Sequence, residues 1–423
     1  MKEALLHFVW KHLLIKPERL ETTEGENIEI IFQGNYNTNE GADFTEAKIR
    51  IGNTILVGNI EIHVYASDWN KHQHRKNKKY NNVILHVVFM NDQTIPHLPT
   101  LELNGKISSM LLKKYNQLLQ NSIPVPCHNN WNEIETINLL NIKERILFER
   151  LENKKIKILN KLNELQQDWL KTKYNLLLQY FGGNINKFGF EQLAQRLDYK
   201  ILIKHADNLT QIEALLFGTA GFLEDDFEDI YYVHLQKEYQ YLKIKYNLVS
   251  LSKSIWNFLR MRPANFPTIK IALLANLIQA SPQLFHLQHI SATKQFLFQL
   301  VASSYWDTHY TFGKASKLQQ KKLGESSINS LIINYSIPLF YTYQSTFEHK
   351  DVFQACIDYY ELLPFEENHK VKYFYQAQGS KNATDSQFLI ELYDHYCSQR
   401  KCLECKVAYQ ILKKETKQEI LNV

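Results

Sequence analysis

The stretch GADFTEAKIRIGNTILVGNIEIHVY, residues 41–65, decides how the first third of the chain is read. Ile60, Ile62 and Val64 alternate with Glu61, His63 and Tyr65, which is the period of a strand with two unlike faces. Gly52-Asn53 separates AKIRI (47–51) from TILVGNIEIHVY (54–65) and predicts a tight hairpin turn. A third run, NVILHVVFM (82–90), is nearly continuous and apolar, as in a strand covered on both faces. Upstream, Leu5, Phe8, Val9 and Leu13 recur at helical spacing, and 99–120 reads as helix again. The result is an α–β–β–β–α unit.

Beyond residue 130 the period changes. No proline lies between Pro126 and Pro263, and proline inside a helix costs about 3 kcal/mol, so this stretch favours helices. Leu151, Ile158, Leu162, Leu165 and Trp169 follow 3/4 spacing and predict one long amphipathic helix ending near Gly182-Gly183. Further helices are expected at about 189–204, 209–219, 226–246, 248–261, 267–279 and 292–305, then 326–345, 350–362, 384–397 and 403–419. The expected fold class is α+β, with an α/β domain over 1–130 and an α-helical domain over 131–423 that carries a C-terminal cysteine cluster.

Composition narrows the class. The 423 residues are 44% hydrophobic and 22% charged, enough for two or three domains with cores of their own and too apolar for wholesale disorder. A net charge of +5 permits a nucleic-acid partner without demanding one. No uncharged apolar run is long enough to span a bilayer, and the N-terminus lacks the apolar run and cleavage site of a signal peptide. Five cysteines are too few and odd in number for a secreted disulfide framework, so the expected location is cytoplasmic. Walker, GxGxxG, GxSxG and HExxH motifs are absent, which removes support from P-loop NTPases, dinucleotide enzymes, serine hydrolases and zincins.

The residues that can carry chemistry gather between Gly41 and His86. Glu61 and His63 stand side by side on one strand face, and a hairpin can return Asp43 to Glu61. Two carboxylates with a nitrogen base beside them suit Mg²⁺ or Mn²⁺, which would activate a water and polarise a phosphodiester. His63 would orient that water, ligate the softer ion or take up a proton. In SDWNKHQHRKNKKY, His72 and His74 form a His-x-His pair, but Lys71, Arg75, Lys76, Lys78 and Lys79 crowd the segment. That charge repels a cation and suits a phosphate backbone, so 71–79 is read as a basic loop started by Asp68-Trp69, with a merely solvated loop as the alternative. His86, inside an apolar run, is expected to be a hydrogen-bonded core histidine.

The runs GADF, AKIRIG, GNIEIHVYASDWNKHQH and YNNVILHVV resemble the signature of a bacterial family known as domain of unknown function 2851, and the resemblance extends to FLRMRPANFPTIKIALLANL (258–277) and the cysteine-bearing tail. That family's usual Gly-Pro-Asp-Phe reads Gly-Ala-Asp-Phe here. A broader resemblance is to PD-(D/E)XK nucleases, the restriction-endonuclease-like core, whose layout is a helix with Glu, then Asp, then a strand with Glu-x-Lys. Glu3, Asp43 and Glu61 match it, while His63 occupies the place of the usual lysine. The resemblance implies metal-dependent hydrolysis of DNA or RNA. Asp43 and Glu61 would hold Mg²⁺ or Mn²⁺, Glu3 would support a water or second ion, and Lys76, Lys78 and Lys79 would track the backbone. The rival reading is a non-catalytic interaction protein, with a degenerate nuclease-like domain and a helical partner-binding region.

Cys397, Cys402 and Cys405 form C-x4-C-x2-C, a spacing compatible with zinc or an iron–sulfur cluster. Cys127 is the expected fourth ligand, with His128 and His395 as substitutes. The order is similar in outline to RecB-type nucleases, which place one distant cysteine and three C-terminal ones around an iron–sulfur cluster. Three small buried thiols in a helical turn are the simpler reading. Cys356 is expected in the core. Arg260 and Arg262 are expected to pair with the acidic run 221–231.

Overall fold

The computed structural model describes residues 2–16, 18–74, 77–281, 290–374 and 381–421, the side chains of 290–293 and 415–421 excepted. The architecture is α+β, a sheet-bearing N-terminal region followed by helices. Two compact units divide the chain. One comprises 1–144, 369–378 and 389–423; the other comprises 145–368 and 379–388. The first cut thus falls after Glu144 rather than after residue 130. The C-terminal tail goes with the sheet rather than with the helices of 131–423.

The first unit opens with helix α1 (Glu3–Lys11), whose Leu5, Leu6, Val9 and Trp10 are buried. Strands β1 (Leu20–Glu21), β2 (Asn27–Phe32), β3 (Asn35–Tyr36), β4 (Phe44–Ile51) and β5 (Thr54–Tyr65) follow. After the short helix α2 (Asp68–Lys71) come β6 (Val83–Met90), β7 (Thr100–Glu102) and helix α3 (Ser109–Gln120). The sheet runs β1-β2-β4-β5-β6-β7, with β3 also on β4. Pairing is antiparallel up to β4–β5 and parallel for β5–β6 and β6–β7. The β4–β5 hairpin turns at Gly52-Asn53, where Gly52 takes φ +56°, a conformation open to glycine. Gly58 answers a second demand. A Cβ there would meet Ile84 Cγ2 at 2.5 Å and Asn82 O at 2.6 Å, so β6 could not approach β5. A bulge between Phe44 and Ala47 shifts the register of β4 next to Asp43. Both faces of the β5–β6 centre are covered: Ile60, Ile62, Leu85 and Val87 are fully buried, and so is His86.

Helix α4 (Thr136–Glu164) crosses from the first unit's residues into the second's. The second unit continues with α5 (Trp169–Arg196), α6 (Tyr199–Lys204), α7 (Leu209–Thr219), α8 (Ile230–Tyr246), α9 (Pro267–Ala280), α10 (Ile290–Gln299), the small ribbon β8 (His309–Thr311) and β9 (Lys314–Ala315), α11 (Glu325–Leu331), α12 (Ile337–Thr346) and α13 (Phe353–Glu361). Helix α14 (Ala383–Leu392) returns the chain to the first unit, which ends in α15 (Lys406–Leu421). The single helix expected through Leu165 and Trp169 is two. Gln166 and Gln167 adopt positive φ, and Asp168 caps the new helix by accepting the Lys171 N–H at 2.9 Å. The expected helix at 248–261 is instead an irregular segment with a 3₁₀ turn at Lys253–Ile255. Its backbone is held by side chains: the buried Trp256 indole donates to Ala220 O at 2.8 Å, and Asn186 Oδ1 accepts the Asn257 N–H at 2.8 Å.

Candidate metal centre

Antiparallel pairing of β4 with β5 returns Asp43 to Glu61, and two backbone bonds lock them. The Ile62 N–H donates to Asp43 Oδ2 at 2.9 Å, and the Asp43 N–H donates to Glu61 Oε2 at 3.2 Å. Helix α1, packed on β5, brings its first turn to the same place. His7 Nε2 lies 3.3 Å from Asp43 Oδ2 and 3.8 Å from Glu3 Oε1. Of the expected set, Glu3, Asp43, Glu61 and His63 are therefore brought into one locality. His7, one helical turn after Glu3, belongs to it as well. Its spacing from Glu3 was the available signal in the sequence.

The segment after β5 folds back over the strand and completes the group. His74 is buried, 7% exposed, and its ring lies 5.3 Å from that of His63 and 3.9 Å from that of Tyr80. Three atoms then face one point. His63 Nε2 is 3.5 Å from Glu61 Oε1, His74 Nε2 is 3.2 Å from it, and the two nitrogens are 3.3 Å apart. Ligand atoms at about 2.0–2.1 Å from one ion stand roughly 3.0–3.4 Å from each other, so this triangle has the size of a ligand set. The exposed His72 joins it: His63, His72 and His74 each offer a ligand atom within 4.8 Å of the others, and could hold a metal ion. The basic-loop reading of 71–79 had set a cation aside. The structure turns Lys71, Lys78 and Lys79 outward and His74 inward. Lys71 pairs with Asp68 at 2.6 Å and Lys79 with Glu40 at 2.5 Å, while Lys78 is exposed. Arg75 and Lys76 lie outside the described residues.

His86 is a hydrogen-bonded core histidine, and its bond has a direction that matters. His63 Nδ1 and His86 Nε2 are 2.8 Å apart, and His86 Nδ1 is buried without a partner. When His63 donates through Nδ1, its Nε2 lone pair is free toward Glu61 and His74. A ligating histidine commonly uses its second nitrogen in this way.

The electrostatics fit a cation site. Burial, and then the Asp43 charge, push the Glu61 carboxyl up to about 9. Burial, and then the neighbouring imidazoles, push His63 down to about 2; burial and His74 lower His86 to about 4. Burial and His72 also lower His74. Neutral imidazoles are ready ligands, and a carboxyl that keeps its proton at neutral pH yields it when a cation arrives. His7 behaves in the opposite way. Burial lowers it, but hydrogen bonding and attraction to Asp43 outweigh burial and raise it. Burial also raises Glu3.

The cysteines lie elsewhere in the first unit. Cys127, Cys397, Cys402 and Cys405 are buried and are not in disulfides, and among the described residues the ligand atoms that gather within 4.8 Å belong to the histidines and not to them. The expected substitutes are engaged: His128 Nδ1 is 3.1 Å from Tyr373 O, and His395 Nε2 is 3.3 Å from Glu391 Oε1. Cys356 is fully buried in the helical unit. The acidic run 221–231 pairs through Asp225 with Lys253, and among the described residues not with Arg260 or Arg262. No helix among the described residues is long and apolar enough to cross a membrane.

Comparison with known proteins returns one family. The model of "Protein of unknown function (DUF2851)" matches residues 3–369. No curated protein and no solved structure matches.

Proposed function

The chain belongs to the DUF2851 family, whose description names no activity, so its chemistry has to come from its own site; we propose that it is a metal-dependent nuclease, hydrolysing phosphodiester bonds of DNA or RNA on a restriction-endonuclease-like core. The observation that carries this reading is the mutual locking of Asp43 and Glu61 beside the imidazoles of His63 and His74. The order of elements supports it: a helix bearing Glu3, an antiparallel meander bearing Asp43 and Glu61, then a crossover to a parallel strand. Glu61, His63 and His74 would hold the ion, with His72 and Asp43 beside them. Three nitrogen donors favour Mn²⁺ or another transition ion over Mg²⁺. A bound ion would supply a water of lowered pKa and a polarised phosphate oxygen. Buried His63 cannot supply the charge of the usual lysine. His7, where hydrogen bonding and attraction to Asp43 outweigh burial, is the imidazole of the group whose protonated form the surroundings favour, and it would stand in for that charge beside the carboxylates. Exposed Lys78 would meet the phosphate backbone, with Lys71 and Lys79, and Arg75 and Lys76 of the same segment are proposed to do likewise.

The test is a calorimetric titration of the full chain with Mn²⁺ and with Mg²⁺, beside Asp43→Ala, Glu61→Ala and His74→Ala. Each sample is also incubated with single- and double-stranded DNA and RNA. Tighter Mn²⁺ binding, and cleavage lost in Glu61→Ala and Asp43→Ala, is the expected result. Metal binding without cleavage of any substrate would leave a non-catalytic, partner-binding protein. Cleavage that survives Glu61→Ala would overturn the site.

A further inference from the structure

Helix α5 of the helical unit does not run straight. Gly183 takes φ +57° and ψ −160°, a conformation that only glycine adopts readily, and the helix restarts beyond it. The buried Asn186 of the restarted helix holds a second segment beside the kink. Its Nδ2 donates to Asn257 O at 2.9 Å and its Oδ1 accepts the Asn257 N–H at 2.8 Å, while Nδ2 also lies 3.5 Å from Met261 Sδ. That segment runs on to Phe266, whose carbonyl accepts the Lys270 N–H at 3.0 Å in the first turn of α9. Between these walls and helix α11 lies a cavity of about 440 Å³, within the range of about 300–1,000 Å³ usual for small-molecule sites. Tyr180, Phe181, Met261 and Leu323 give it apolar lining, and Asn265, Ser326 and Ser327 give it polar groups. All of these residues belong to the helical unit.

Lys270 lines the same cavity and is half-buried. Among the described residues no hydrogen bond, ion pair or ring contact engages its ammonium. Burial pulls that ammonium down to about 8, with no carboxylate beside it to oppose the fall. Other lysines of this unit that leave solvent find partners. Lys173, also lowered by burial to about 8, lies 5.6 Å from the Trp169 ring and 5.8 Å from that of Tyr343. Buried Lys321 donates to Asp307 O at 3.1 Å and to Gln319 O at 2.8 Å. Glu366, the carboxylate that reaches the cavity wall at Ser330, is taken up by Ser330, Asn334 and Gln387. Withdrawing a charge from water without a partner costs stability, and an anion in the cavity would offset that cost.

We propose that this cavity, walled by the kink of α5 and by α11 and holding Lys270, binds a small organic anion: an apolar or aromatic body that bears a phosphate or a carboxylate. The head group would pair with the Lys270 ammonium as a charge-assisted hydrogen bond, and the body would lie on Tyr180, Phe181, Met261 and Leu323. Arg260 and Arg262, on either side of Met261, are exposed and make no ion pair among the described residues. Their charge would draw anions to this part of the surface. The proposal does not depend on the nuclease reading, and either can fail alone.

The full chain is kept in EDTA, so that no ion at the histidine group offers a second anion site. Calorimetry at about pH 7, where an ammonium that titrates at about 8 is charged, follows phenyl phosphate, phenylacetate and the neutral benzyl alcohol. The parent is compared with Lys270→Met, which keeps the length of the side chain and removes its charge, and with the control Lys173→Met. Expected is binding of at least one anion, with benzyl alcohol weaker by about tenfold or more. The better anion assigns the head group. Lys270→Met should lose about tenfold to a hundredfold in anion affinity, and Lys173→Met should keep it. The melting temperature of Lys270→Met should hold, because an ammonium without a partner has gone. Failure of both anions to bind, equal binding of benzyl alcohol, anion affinity unchanged in Lys270→Met, or an equal loss in Lys173→Met overturns the proposal. If Lys270→Met does not fold, acetylation of the unaltered chain by acetic anhydride decides, read by peptide mass spectrometry. Slower labelling of Lys270 in the presence of phenyl phosphate or phenylacetate supports the site, and unchanged labelling rejects it.

Discussion

Both units bury a glutamate, and they treat it differently. In the helical unit Glu213 of α7 is 2% exposed and accepts the Ser303 hydroxyl at 2.6 Å. In the sheet unit Glu61 is 5% exposed and faces Asp43 and two imidazoles that burial keeps neutral. Burial lifts both carboxyls, Glu213 to about 7, where its hydroxyl partners oppose the rise, and Glu61 to about 9, where the Asp43 charge adds to it. The first glutamate is satisfied by the fold. The second sits among acceptors and lone pairs that converge on one point, an arrangement a cation would complete. A buried carboxyl held by a hydroxyl of the fold argues for structure, and one held by a single backbone N–H, with its other oxygen facing two imidazole nitrogens, argues for a cation site.

The sharpest break between the regions should come from an apolar deletion in the helical core. Phe217 is fully buried and stacks on Trp306 at 5.2 Å. Phe217→Ala should cost about 3–5 kcal/mol in chemical denaturation, through lost burial and a residual cavity. Mn²⁺ affinity of the folded fraction, read by calorimetry, should not change. Glu61→Gln should do the reverse. Removing a ligand should weaken Mn²⁺ binding by about 100-fold or more, a loss at the upper end of what second-shell changes cause. The melting temperature should hold, because the amide replaces a carboxyl that keeps its proton at neutral pH. A melting temperature that falls as far as in Phe217→Ala would make Glu61 a structural residue and end the contrast.

Glu213 allows a check by pH. In the folded chain burial lifts it to about 7, above the ordinary value of 4.5. A carboxyl raised in this way contributes stability that is fully present below about pH 4.5 and is lost as pH rises through about 7. Glu213→Gln removes that dependence. Thermal melts of the variant and the parent should converge near pH 5 and separate above pH 7, with the variant more stable by up to about 3 kcal/mol. Parallel profiles would mean that the Ser303 bond already offsets the burial.

What the sequence made legible is what local period controls. Alternation in 54–65 located β5, Gly52-Asn53 located the hairpin, and together they implied that Asp43 returns to Glu61. The histidine group was not legible, because nothing in SDWNKHQHRKNKKY says which side chains face inward. The count of basic residues argued against a cation, yet Lys71 and Lys79 are spent on Asp68 and Glu40 while His74 is packed under Tyr80. The failed helix at 248–261 has a related cause: its apolar spacing is helical, but Trp256 and Asn257 bond to residues far away in sequence. The break at Gln166-Gln167 rests on two positive-φ glutamines, which no turn signal announces.

The smallest expected effect separates a phosphate-tracking loop from a solvated one. Surface pairs contribute about 0–1 kcal/mol, so Lys71→Ala, Lys78→Ala and Lys79→Ala should each leave stability nearly unchanged. Binding of a fluorescent oligonucleotide, followed against salt, is the informative readout. A lysine that neutralises a phosphate contributes about one unit to the slope of log affinity on log salt. Lys78 is exposed, whereas Lys71 and Lys79 already face carboxylates and must break those pairs to meet a phosphate. Lys78→Ala should therefore lower the slope most, and Lys71→Ala and Lys79→Ala less. Equal losses at all three would mean that Asp68 and Glu40 release their lysines on binding. No loss at any of them would assign the loop to solvent and move the nucleic-acid surface to another part of the first unit.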